Sequence, residues 1–164
     1  MSLSLPSPRD EAWRWSDLSG LEVLASQAKR DVAVDVANLW IGSGPRLLFV
    51  DGRFDAERSS PGPVTVGTVD ATSVHPLGRL AQGLGWTLTL GKDAVAGAPP
   101  VEIVHVATGG ANHVPASIEL GEDAHASIVE TYVGDGWTNR LTRIALSRSA
   151  RLMRAIRIVQ ETGF

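Results

Sequence analysis

The sequence predicts a mainly β fold, a parallel β-helix entered through a short helical and hairpin subregion. Three observations carry that reading. Helical periodicity is confined to the segment before Asp31, after which short apolar runs alternate with Gly, Asp and Pro. One such run, Leu47 to Val50, meets Asp51-Gly52 and then Arg53-Phe54, the chemistry of a two-residue hairpin. Three later segments, LTLGKDAVAG from Leu88, IELGEDAHAS from Ile118 and IALSRSARLM from Ile144, align on one another with starts 30 and 26 residues apart, a mark of stacked supersecondary units.

Taken in order, Pro6 and Pro8 keep the start irregular, and Asp10 ahead of Glu11, Ala12 and Trp13 has the pattern of an N-cap and first helical turn. Ser16 or Asp17 caps a second helical segment running to about Lys29, with Leu18, Leu21 and Leu24 on one face. From Asp31 the period becomes two. Val32, Val34 and Val36 alternate with Asp31, Ala33 and Asp35, as in a strand with one buried face. GSGPRL, from Gly42 to Leu47, opens like a phosphate loop but has Leu47 where a third glycine is needed and Pro45 where a helix should propagate, so it reads as a turn. SSPGP, from Ser59 to Pro63, places a boundary near residue 60, dividing an N-terminal subregion, 1–60, from the β-helix, 61–164.

Within each repeat an apolar residue, any residue and Leu lead into three turn-like residues and then Ala. Leu88/Leu90, Ile118/Leu120 and Ile144/Leu146 are expected to point inward from successive coils, with Ala94, Ala124 and Ala150 in corners too tight for a larger side chain. Val101 to Val106 and Ser127 to Val133 supply the other walls. An antiparallel jelly roll also has many short strands, but it demands no recurring small corner residue. Arg154 to Gln160 read as a strand of a coil that Thr162-Gly163-Phe164 does not complete. Such an open cross-section calls for a cover, expected to be a second copy docked through residues 144–164 with the Trp13 region outside the interface.

Composition bounds the chemistry. The chain has 164 residues, no Cys, and 15 basic against 18 acidic residues, which excludes disulfides, zinc–thiolate sites, cysteine-ligated clusters and a thiol nucleophile. Without a basic run there is no footprint for nucleic acid or an anionic membrane, and without a signal peptide or an 18-residue apolar window the expected location is cytoplasmic. The histidines, His75, His105, His113 and His125, match no compact zinc spacing; His105 and His113 would converge on a metal only from adjacent walls, and lone histidines on strands are more often ordinary residues. Glu102, Glu119 and Glu130 are scattered along strands without evident pairing, and Glu130 is expected to face outward. Trp13, Trp15, Trp40, Trp86 and Trp137 are spread in a way that favours packing over a ligand-stacking surface. No catalytic, cofactor or metal constellation is assigned. An enzyme with a cupin-like metal site and a β-helical module binding carbohydrate or another small ligand through Trp and Asn are the alternatives.

Three motifs together resemble the SufB/SufD family, specifically its SufD branch: PSPRDEAWRWSDLSGL, RLLFVDGRFDAERSS, and SIELGEDAHASIVETYVG followed by TNRLTRIALSRSARLMRAIRIVQETG, with an acidic residue near Tyr132 and an Asn before the next strand. In order they span nearly the whole chain. The resemblance implies a right-handed parallel β-helix and a non-catalytic scaffold in a cytoplasmic assembly with SufB-like and SufC-like partners. The SufC-like protein is the ATPase there, and the nascent iron–sulfur cluster belongs to the complete complex, with no cofactor bound by this chain alone. Relative to the family only ten residues precede Glu11, and the chain ends at Phe164 ahead of later rungs and a helical region. The family's cluster-associated histidine lies beyond that end, so no functional residue is carried over.

Overall fold

The computed structural model describes residues 5–7, 9–31, 33, 35–70 and 72–162. Asp10 precedes a short 3-10 helix, Glu11–Trp13, but its side chain does not cap it and instead accepts from the Ser7 amide at 3.0 Å. The one α-helix among the described residues, α1 (Ser19–Ser26), is shorter than its sequence pattern suggests. Asp17 accepts from the Ser19 amide at 3.0 Å just ahead of it, and Leu18, Leu21 and Leu24 are half-buried while their neighbours Glu22 and Val23 are exposed. Of the alternation at 31–36, Val32 and Val34 lie outside the described residues. Asp31, Ala33, Asp35 and Val36 are not in a strand, and the next element is a 3-10 helix, Ala37–Leu39.

Nine strands follow among the described residues: β1 (Arg46–Val50), β2 (Arg53–Phe54), β3 (Val64–Val69), β4 (Gly83–Leu90), β5 (Val95–His113), β6 (Ala116–Leu120), β7 (His125–Asn139), β8 (Thr142–Leu146) and β9 (Arg151–Thr162). They form two mixed sheets, one ordered β2-β1-β5-β7-β9 and the other β3-β4-β6-β8. The hairpins β1–β2 and β3–β4 are antiparallel, and the remaining pairings are parallel. At the first hairpin Asp51 and Gly52 both take positive φ, +51° and +78°, as a tight primed turn requires.

The three aligned segments occupy equivalent places. Leu88, Ile118 and Ile144 pair across β4, β6 and β8, as do Leu90, Leu120 and Leu146. Each strand then enters a four-residue turn closed by an amide of Ala94, Ala124 or Ala150 bonded to the carbonyl of Gly91, Gly121 or Ser147. The third residue of each turn, Asp93, Asp123 or Ser149, has φ near +58°, a conformation that Asp tolerates better than most residues. Successive turns are bonded directly, Gly121 N–H to Leu90 O at 2.8 Å and Ser147 N–H to Leu120 O at 2.9 Å. Gly121 is required by that closeness, because a Cβ there would lie 2.8 Å from the Gly91 carbonyl carbon.

The sheets face each other over a core that includes Leu47, Phe49, Val101, Ile103 and Ile128 from the first and Trp86, Leu88, Ile118 and Leu120 from the second. The first sheet is covered on its other face as well. There Leu48, Val104 and Val106 pack under Val36, Leu39 and Trp40 of the N-terminal segment. The expected inward pairs hold for Leu88/Leu90 and Ile118/Leu120, whereas Ile144 and Leu146, on the outermost strand of their sheet, are about half exposed.

Candidate functional site

Parallel register on β1, β5 and β7 sets Phe49, His105 and Tyr132 side by side. Their rings stack, with centroids 5.3 Å apart for Phe49–His105 and 4.8 Å for His105–Tyr132. Two residues before Tyr132 on the same strand face is Glu130, paired with Ile103 on one side and Ile156 on the other. It is therefore an interior residue. Glu130 accepts a hydrogen bond from the Tyr132 hydroxyl at 2.7 Å and one from Arg154 Nε at 2.5 Å. Arg154 also donates through Nη2 to Thr142 Oγ1 at 3.1 Å, and Arg140 lies over the Tyr132 ring at 5.1 Å. His105 Nε2 is 3.7 Å from Glu130 Oε2, beyond hydrogen-bonding length.

The charges follow from burial and partners. Burial, reinforced by the Arg140 charge, lowers His105 to about 4, so the imidazole is neutral at pH 7. Burial pushes Glu130 up, but contacts with His105 and Arg154 outweigh it and bring the carboxyl to about 2. With His105 neutral, Arg154 is the partner that holds the carboxylate at pH 7. Tyr132 is raised by burial and then by the Glu130 charge, and stays protonated. None of the three titrates near neutrality, so the cluster has no side chain poised for general acid–base work there.

The expectation that Glu130 faces outward is overturned: it is 1% exposed. Both faces of the first sheet are covered, so alternation along β7 offers no solvent side, and the buried charge is matched by Arg154 and Tyr132. Glu102 is also buried, on the opposite face, where it accepts from the amides of Ile41 at 2.5 Å and Gly42 at 2.7 Å and so fixes the GSGPRL bend. Glu119 is exposed.

His105 and His113 do not occupy adjacent walls. Both lie on β5, separated by Gly109 and Gly110 with positive φ, and His113 packs edge-on against Trp137. Burial and then Arg140 lower His113 as well, to about 4. His75 and His125 are exposed, and among the described residues no group of three His, Asp or Glu side chains is placed to hold a metal ion. Trp86 and Trp137 are buried, Trp40 packs under the first sheet, Trp13 meets His75, and Trp15 is exposed, so the tryptophans form no common wall.

Arg140 and Arg154 are functional candidates that sequence reasoning did not single out; both lie in the third motif, but nothing in its spacing brings them to one acid. Sequence reasoning also does not single out the exposed charge row of Lys92, Glu122 and Arg148, which recur at the second position of the stacked turns and alternate in sign, with Glu122 paired to both cations.

No family model matches the chain. Over 93 residues, 51% of the chain, it is 34% identical to an iron–sulfur cluster assembly SufBD family protein of Synechocystis sp. (strain ATCC 27184 / PCC 6803 / Kazusa). The chain spans 20% of that relative's length. The likeness is to a protein described by the SufBD family as a whole, and it does not single out a SufD branch. Among the described residues no helix is long and apolar enough to cross a membrane.

Proposed function

We propose that this chain belongs to a SufD-like, non-catalytic scaffold that works with SufB-like and SufC-like proteins in cytoplasmic iron–sulfur cluster assembly. The observation that carries the reading is the 34% identity to the SufBD family protein. The in-register stacking of β4, β6 and β8 and of β5, β7 and β9 is consistent with it, the two sheets being walls of a right-handed parallel β-helix. In this role the cluster is cargo of the complex. The chain contributes rigid stacked walls, with Glu130 and Arg154 tying β7 to β9 from inside. The test is co-purification: a tagged chain expressed with SufB-like and SufC-like proteins of the same cell should retain both, and recovery of neither overturns the reading.

Isolated, the chain self-associates through β8 and β9, the outermost strands of the two sheets. The support is a cluster of half-exposed apolar side chains there, Ile144, Leu146, Ile156 and Ile158. Light scattering across a dilution series should show an oligomer for the wild type and a monomer for Ile156→Lys. A monomeric wild type refutes it.

A further inference from the structure

We propose that the cleft between Arg140 and Arg154 is a binding site for a small oxyanion, a phosphate or carboxylate group. The cleft has a volume of about 540 Å³ and is lined by Tyr132, Asn139, Arg140, Thr142, Arg154 and Ile156, among others. Its walls carry two guanidinium groups, and the interior carboxylate of Glu130 lies behind them, bonded to Arg154. Arg154 is matched by that carboxylate and by Thr142. Arg140 is matched less fully: its Nε and Nη1 are buried without a hydrogen-bond partner, and its side chain meets Tyr132, lying over the ring, and is drawn to the Glu130 charge.

Two observations converge on an anion. The first is charge. Arg140 and Arg154 against Glu130, with His105 neutral, leave one positive charge in excess at a partly buried cleft, where it is costly without a counterion. The second is hydrogen bonding. A guanidinium presents five N–H donors in a planar fork that suits carboxylate and phosphate oxygens, and the three on Nε and Nη1 are orphaned here. An oxyanion entering beside Arg140 corrects both at once, with the Thr142 hydroxyl and the Asn139 side chain also on the cleft wall. A water molecule supplies an acceptor but not the charge, which separates the two occupants experimentally.

The experiment is calorimetric titration of the protein with inorganic phosphate and, separately, acetate, against sodium chloride of matched ionic strength. Binding of one or both above the chloride baseline is expected. Preference for phosphate marks a phosphoryl ligand, and preference for acetate marks a carboxylate. Arg140→Gln should weaken binding roughly tenfold or more, the size of one lost charge-assisted hydrogen bond, while Lys92→Gln, on an exposed turn, should leave it unchanged. No binding above chloride, or equal binding by Arg140→Gln, overturns the proposal. Should Arg140→Gln fail to fold, amide shifts in the wild type decide: changes centred on residues 139–142 support the site, and changes confined elsewhere overturn it.

Discussion

Glu130→Gln isolates the charge at the centre of the interior cluster. The substitution keeps the side chain's length and an acceptor for the Tyr132 hydroxyl, and it removes the negative charge facing Arg154. Two routes give the size of the effect. A carboxyl that ionises at about 2 rather than 4.5 has its charged form favoured by about 3 kcal/mol. Removing one partner of a buried ion pair costs about 3–5 kcal/mol. A loss near 3 kcal/mol is a large share of the roughly 5–15 kcal/mol that holds a domain folded, and urea unfolding at pH 7, followed by fluorescence of the buried Trp86 and Trp137, will read it directly. The pH dependence has a definite sign. Because the folded value is depressed, the stabilisation is complete above 4.5 and is lost as pH falls through about 2, so the gap between wild type and variant should shrink as pH drops below 4.5. Arg154→Met should cost a comparable amount, and the double variant less than the two together. A loss below about 1 kcal/mol at pH 7, the value of an exposed pair, or strict additivity with Arg154→Met, refutes the reasoning.

His105→Phe should change stability at pH 7 by no more than about 1 kcal/mol, because both ring nitrogens of His105 lack hydrogen-bond partners and the ring is held by stacking. The wild type should lose stability as pH falls from 6.5 toward about 4, where the unfolded imidazole binds a proton that the folded one refuses; the variant should lose less over that window, with the part due to His113 remaining. Gly121→Ala should destabilise by about 1–3 kcal/mol, since its Cβ would meet the backbone of Gly91 and Lys92, whereas Gly91→Ala, with nothing within 4 Å of the added carbon, should be nearly neutral in the same thermal melts. Anaerobic reconstitution of the isolated chain with iron and sulfide should leave it without a stoichiometric cluster by metal and sulfide analysis, as it has no Cys to supply thiolates.

The turns were legible in the sequence and the interior was not, for a physical reason. A turn is specified by its own few residues: Asp51-Gly52 marks the hairpin and the three turn-like residues before each corner Ala mark the corners without reference to anything distant. The aligned Leu, Ile and Ala positions likewise report stacking, because a repeated unit meets the same neighbours each time. Alternation, by contrast, orients a strand only when one face is wet. Along β7, Ile128, Glu130 and Tyr132 share one face while Val129, Thr131 and Val133 share the other, and the first sheet is covered on both sides, so neither set marks solvent. An acid on such a strand reads as outward-facing by default, and the information that turns it inward sits elsewhere, in Arg154 on the next strand and in the neighbouring hydroxyl of Tyr132. The N-terminal segment misled for the same reason in reverse. Its Leu18, Leu21 and Leu24 have helical spacing, yet the helix closes at Ser26, and the chain beyond it crosses the first sheet with Arg30 bonded to Thr108. Gly109 and Gly110 allow that crossing, since a Cβ at Gly109 would lie 2.6 Å from the Ala28 carbonyl oxygen. A close approach between segments so distant in the chain leaves a glycine as its trace, and the glycine alone does not say which backbone it admits.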